Sequence, residues 1–377
     1  MLAMNSTLLV GPYDWDATRM PKDEFLARGA ALWRTAPAAA GAIVYGDRAH
    51  HAELAYLTGF TPKLEAALAL IPRVGAPRIL VGGGVNMLQA AKPLTFIDNL
   101  LPLRNVEATI VQWTREQSGG GRPVLIGGAF MPYPLRQRVD AAMAEVAGKI
   151  ADKTSELGTL MRRKSARELA VVREACATLD AAVAAMGETH RCGAGATDVV
   201  LAGEHAAHRR GAQDVRTLFS LDGGRTLRPF DTSVARTVDP LQVYVAVRQF
   251  GYWADGFVVA TETPNPCVRG AGDVLRYAIE MIQPGRRCGE VGRSIIEVTE
   301  HLRPHPMTTR VQGNSIGLAL EEHPLITAES DHTLEAGEVY SLRVGLSDER
   351  DYAIASAMVA VQPHGSEVLW SSPESAT

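Results

Sequence analysis

Cysteine is scarce in this 377-residue chain, and the four present, Cys176, Cys192, Cys267 and Cys288, do not cluster. None forms a Cys-x-x-Cys pair, which argues against a zinc knuckle and a disulfide framework and fits a reducing location. Long apolar runs are missing too: no stretch approaches the ~18 residues that a membrane helix needs. Charge of one sign is not concentrated. The 38 Lys and Arg against 42 Asp and Glu leave a net charge of −4, which argues against a nucleic-acid-binding surface. The longest basic runs, Arg162-Arg-Lys164 and Arg209-Arg210, read as solvated helix faces. The segment Met1-Leu-Ala-Met-Asn-Ser-Thr7 has no basic stretch followed by an apolar one, so no export signal is expected and the default location is cytoplasmic.

What is present is the composition of a globular protein, 46% hydrophobic and 21% charged, in a chain long enough for two domains. From about 20 to 150, helix and strand signals alternate. Asp23 to Trp33 reads as an amphipathic helix with Phe25, Leu26, Leu32 and Trp33 on one face. Short β-rich runs follow at Gly41–Tyr45, Ala67–Ile71, Arg78–Val81 and Val124–Ile126, and Leu135, Val139, Met143 and Val146 mark a further helix. The alternation predicts an α/β domain. A break is expected near Ile150 to Ser155, giving domains 1–152 and 153–377. Just beyond it, Ser165 and Glu168 are spaced as a capping box opening a helix. Helices at about 165–187, 197–210, 270–283 and 289–302 are predicted, with strands at 215–221, 241–248 and 252–261 and a strand-rich tail from 307.

The most informative pieces lie between Val243 and Val361. They are Tyr244-Val-Ala-Val-Arg-Gln-Phe-Gly-Tyr-Trp-Ala-Asp255, Gly313-Asn-Ser-Ile-Gly-Leu-Ala-Leu-Glu-Glu-His-Pro324, Gly337-Glu-Val-Tyr-Ser-Leu-Arg343 and Tyr352-Ala-Ile-Ala-Ser-Ala-Met-Val359. In order and spacing they resemble the creatinase / aminopeptidase P (pita-bread metallopeptidase) family. Lys164-Ser165-x-x-Glu168 and Tyr56-Leu-Thr-Gly-Phe60 resemble that family as well, so the likeness runs over nearly the whole chain. It implies an α/β (α+β) two-domain creatinase-like architecture: a small N-terminal α/β domain and a C-terminal pita-bread domain, in a homodimer. Laid on this chain, the family's five metal-ligand positions fall on Tyr244, Asp255, Asn314, Arg343 and Ala355. Two hard dications need several carboxylates and an imidazole. Tyrosine and asparagine replace these poorly, alanine offers no donor, and arginine repels a cation. Neither metal nor cofactor is expected, and Asp255 with Arg343 reads as a buried ion pair in their place.

The resemblance also nominates other residues. A histidine that contacts substrate in the family falls on Phe230 counted from Gly223 or on Asp231 counted from Gly224, and the next family histidine falls on Glu321, with His323 two residues further on. Glu321, Asp231 and Asp255 are thus the candidate catalytic carboxylates, and Tyr244, Asn314, Arg343 and His323 the candidate substrate contacts. In creatinase relatives the N-terminal domain of one subunit reaches the other's active site, which implicates Lys63 and Glu65 of Phe60-Thr-Pro-Lys63-Leu-Glu65. Trp253 and Phe250 read first as ordinary strand residues. Gly313-Asn-Ser315-Ile-Gly317 matches a serine-hydrolase motif by letter, but Pro324 leaves no room for the long helix that motif requires, so Ser315 reads as a loop residue. The glycine clusters Gly82-Gly-Gly84, Gly119-Gly-Gly121 and Gly223-Gly224 read as turns. The function expected is a metal-independent hydrolase cleaving a C–N bond of a small polar amino-acid-like substrate. The alternatives are an inactive paralogue that binds a ligand or partner, and a metal-free lyase or isomerase.

Overall fold

The computed structural model describes residues 14–63, 65–83, 85–117, 121–263, 265–349 and 351–373. Met1–Thr7, Leu64, Gly84 and Gly119-Gly120 lie outside these residues. The chain divides into two units, one ending at Met161 and one beginning at Arg162.

In the first unit the alternating pattern becomes α1 (Lys22–Thr35), β1 (Ala39–Gly46), α2 (Ala52–Thr58), β2 (Ala67–Pro72), β3 (Arg78–Val81), α3 (Val85–Ala91), β4 (Asn99–Pro102), α4 (Val106–Glu116), β5 (Arg122–Ile126), α5 (Tyr133–Val146), β6 (Ala151–Asp152) and α6 (Thr154–Arg162). The strands form one mixed sheet in the order β4-β3-β2-β1-β5-β6. Strand β1 is buried at every residue, as expected of a central strand covered on both faces. On one face Ile43, Leu68 and Leu125 pack with Ile110 and Trp113 of α4 and Val139 of α5. The apolar face of α1 differs from the sequence reading. Phe25, Arg28 and Leu32 are buried while Leu26 is 55% exposed. One residue on from Phe25 turns a side chain by about 100° around the helix, out of a face that the 25-28-32 spacing defines.

The second unit starts with the capping box. The Ser165 hydroxyl accepts the Glu168 N–H at 3.2 Å, and a Glu168 carboxylate oxygen accepts the Ser165 N–H at 2.9 Å. There follow α7 (Ala166–Arg191), α8 (Ala196–Arg209), β7 (Asp214–Phe219), β8 (Leu241–Gln249), β9 (Tyr252–Ala260), α9 (Pro266–Met281), α10 (Cys288–Glu300), β10 (Gly313–Ser315), β11 (Glu322–Ile326), β12 (Val339–Ser347), β13 (Tyr352–Gln362) and β14 (Gly365–Ser371). Two antiparallel sheets result, β7-β8-β9 and β11-β10-β12-β13-β14. Helices α9 and α10 cover one face of the larger sheet through Leu275, Ile295, Leu342, Val344 and Val359. The fold is the mixed α/β arrangement expected.

The basic run at 162–164 departs from its reading as a solvated face. Lys164 is buried, with its ammonium 2.9 Å from a Glu322 carboxylate oxygen and the two side chains 2% and 11% exposed. The pair closes over Gly317, where a Cβ would come within 2.7 Å of the lysine nitrogen.

Candidate functional site

Strands β8 and β9 are joined by a tight reversal in which Phe250 (φ 45°) and Gly251 (φ 86°) adopt left-handed conformations. Phe250 is therefore a turn residue rather than a strand residue, whereas Trp253 is a buried strand residue as expected. The register pairs Ala246 with Asp255 and Tyr244 with Phe257, so Tyr244 lies diagonally across from Asp255. Its hydroxyl donates to Asp255 Oδ2 at 3.0 Å. Asp255 is 3% exposed, and its other oxygen, Oδ1, is buried without a hydrogen bond. Burial pushes the Asp255 carboxyl above its usual range, outweighing Ser341, Arg343 and Tyr244, each of which favours the carboxylate. Burial, reinforced by the neighbouring carboxylate, likewise raises Tyr244.

The larger sheet supplies the other residues. Asn314 on β10 lies opposite Ser341 on β12, and Arg343 lies opposite Ser356 on β13. Directly opposed residues of an antiparallel pair project to the same face, so these four side chains share one. Asn314 directs its amide N–H groups to the Ser315 carbonyl at 2.9 Å and the Leu320 carbonyl at 3.2 Å, within its own loop. Arg343 is half-buried and donates to the Val311 carbonyl at 3.4 Å. It acts on Asp255 through space and forms no ion-pair contact with it, so the expected Asp255–Arg343 pair is corrected to a longer-range attraction. Tyr244 takes the direct contact instead.

The register also corrects the fifth position. Ala355 pairs with Val344, and both belong to the core under α9 and α10. The residue sharing a face with Arg343 is Ser356, since a step of one along a strand reverses the side chain. Sequence reasoning misses Ser341 and Ser356. The signal for them is the two-residue spacing from Arg343 together with the strand pairing, which one sequence does not display. Ser315 is corrected as well: it is the buried last residue of β10, and a turn and then β11 follow it, not a helix.

The remaining candidates stand elsewhere. Glu321 is exposed on the turn before β11, and His323 is exposed on β11 itself. Asp231 is exposed and pairs with Arg228 at 3.7 Å. None of the three makes a hydrogen bond or ion pair with Tyr244, Asp255 or Arg343. Lys63 and Glu65 are exposed residues of the first unit. Gly223 and Gly224, with φ of 71° and 92°, form the turn read from the sequence.

As a donor set for metal, the site is poor. One buried carboxyl stands with phenol, amide and hydroxyl groups beside a guanidinium. Among the described residues no three His, Cys, Asp or Glu side chains group as a metal ion requires. The residues present do not fit a dinuclear centre.

The raised Asp255 carboxyl has a measurable consequence. A carboxyl whose pKa is higher folded than unfolded contributes stability below its unfolded value, and loses it as pH rises through the folded value. Asp255→Asn is therefore expected to melt higher than the parent at neutral pH, with the gain vanishing near pH ~4. Thermal melts of both proteins across that interval check it; a gap constant with pH would contradict the assignment.

The two antiparallel sheets backed by helices, with side chains from β8, β9 and β12 brought together around Asp255, define the class of the protein. Residues 170–362, about half of the chain, match the model of metallopeptidase family M24. The chain belongs to that family, whose members are hydrolases. Solved structures agree in fold. Prolidase from Thermococcus sibiricus is 15% identical, with a TM-score of 0.75 and coverage of 96% of this chain and 99% of that one. Dipeptidase PepE from Mycobacterium ulcerans is 18% identical, with a TM-score of 0.74 and coverage of 96% and 98%. Aminopeptidase P from E. coli is 15% identical, with a TM-score of 0.72 and coverage of 92% and 94%. No curated protein sequence matches the chain.

Proposed function

We propose that this member of the family is a metal-independent hydrolase cleaving a C–N bond of a small, polar, amino-acid-like compound. The observation that carries the reading is the state of Asp255: fully buried, raised by that burial, and with Oδ1 lacking a hydrogen bond. An unsatisfied buried acceptor is costly, and an N–H of a bound substrate would satisfy it. A carboxyl raised above its usual range by burial suits proton exchange with a departing nitrogen. Arg343 supplies the charge for a substrate carboxylate, and the Tyr244 hydroxyl holds Asp255 in place through Oδ2. Lys63 and Glu65 enter this reading as contacts from the second copy of a homodimer.

A second reading, a catalytically inactive binding protein, is favoured by one observation. Glu321 and Asp231, the other candidate acids and bases, are exposed and make no contact with Asp255.

Turnover of a panel of N-carbamoyl and N-amidino amino acids, before and after chelation, tests both. The hydrolase reading expects activity that survives chelation and disappears in Asp255→Asn. Saturable binding without turnover selects the binding protein. Activity lost on chelation and restored by manganese overturns metal independence. Elemental analysis of protein purified without chelator is expected to find well below one metal ion per chain, because the donor set lacks the carboxylates and imidazole that give such ions their affinity. About two ions per chain would contradict it.

A further inference from the structure

Helix α9 and strand β13 do not close on each other along their whole length. Between them is a cavity of about 330 Å³, walled by Val268, Leu275 and Ile279 of the helix and Ala355 of the strand, with Ser372 at one end. Its size falls in the range of small-molecule sites. It lies behind β13, on the face opposite Arg343 and Ser356, and is distinct from the site described above.

Two features show what would fit. Gly272 lines the cavity from mid-helix, and a Cβ built there meets nothing within 4 Å. Glycine inside a helix is unfavourable by about 1 kcal/mol relative to alanine, so the open space is not forced by crowding. At the mouth stand Arg269, Asp273 and Arg276, leaving one net positive charge. Arg276 pairs with Asp273, while the Arg269 guanidinium has no ion pair or hydrogen bond among the described residues. A chamber with apolar walls on α9 and β13 and one uncommitted guanidinium in its lining complements a small anion with an apolar body.

We propose that this cavity binds a small carboxylate with an apolar body, its carboxylate on Arg269 and its body between α9 and β13. The end of the cavity at Ser372 is tied to β13 and β9. The Ser356 N–H donates to the Ser372 hydroxyl at 2.8 Å, and that hydroxyl donates to the Phe257 carbonyl at 2.5 Å. A bound molecule thus has at one end the serine that ties β13 to β9.

Calorimetric titration of the full chain with phenylacetate, and with 2-phenylethanol as the uncharged comparator, tests the proposal. Phenylacetate is expected to bind saturably and roughly tenfold more tightly than the alcohol, through a charge-assisted pair. Arg269→Ala should bring phenylacetate down to the alcohol's affinity. Gly272→Leu fills the chamber and improves helix propensity, so it should weaken both ligands at least tenfold without lowering the melting temperature. If that variant melts lower, Ala355→Leu, which fills the chamber from the strand, must give the same loss. No saturable binding of phenylacetate, equal affinity for the two compounds, or binding unchanged by filling the chamber overturns the proposal.

Discussion

Replacing Lys164 with methionine is expected to lower the unfolding free energy by about 3–5 kcal/mol, the usual consequence of stranding one member of a buried ion pair. The stranded group is Glu322, 11% exposed, which keeps the Ala319 N–H at 3.1 Å. Lys164 also donates its backbone N–H to the Gly337 carbonyl, so the variant keeps the chain path while removing the charge. In a unit of this size the melting temperature should fall by roughly 10 °C. Adding Glu322→Gln should recover part of the loss, because the uncompensated charge is then gone. Thermal and urea unfolding of the single and double variants check this. A loss below about 1 kcal/mol, the ordinary value for an exposed pair, would mean that the pair is effectively solvated.

A comparable effect is expected from Gly224→Ala, by a steric route. Gly224 has φ of 92°, a conformation that L side chains rarely adopt. A Cβ there would also fall inside the contact distance of the Tyr352 backbone carbonyl oxygen, which cannot rotate away as a side chain would. Strained backbone and overpacking together amount to about 4 kcal/mol. Around it, the Gly224 N–H donates to the Ser220 hydroxyl at 2.8 Å, and its carbonyl lies 3.1 Å from the buried His305 imidazole. A shift of this turn therefore reaches β8 through Ser220, whose N–H bonds to the Gln242 carbonyl. Urea unfolding of the variant measures the change; a loss under about 1 kcal/mol would show that the turn relaxes freely.

How much of the fold and site is legible in the sequence depends on the range of the interaction. The capping box at Ser165 and Glu168 is a contact between residues three apart, and it is readable from spacing alone. The strand positions of Tyr244 and Asp255 are readable because a hairpin keeps its partners close in the chain. Ala355 fails for the opposite reason. Which of Ala355 and Ser356 faces Arg343 is decided by pairing between β12 and β13, and a shift of one residue reverses the answer. The burial of Lys164 is equally invisible, since its partner lies 158 residues away. The hydrogen bond from Tyr244 to Asp255, and the turning of Asn314 into its own loop, depend on side-chain rotamers that no spacing specifies.

Glu168 divides its two carboxylate oxygens between two elements. One closes the first turn of α7, and the other accepts the Tyr252 hydroxyl at 2.8 Å in a buried position. Tyr252 opens β9, the strand on which Asp255 sits three residues later. The depth at which that carboxyl rests is therefore gauged by a helix start, through the Tyr252 side chain. Position and chemistry are separable in such an arrangement: the side chain at 255 can be exchanged while the strand that carries it stays tied to α7.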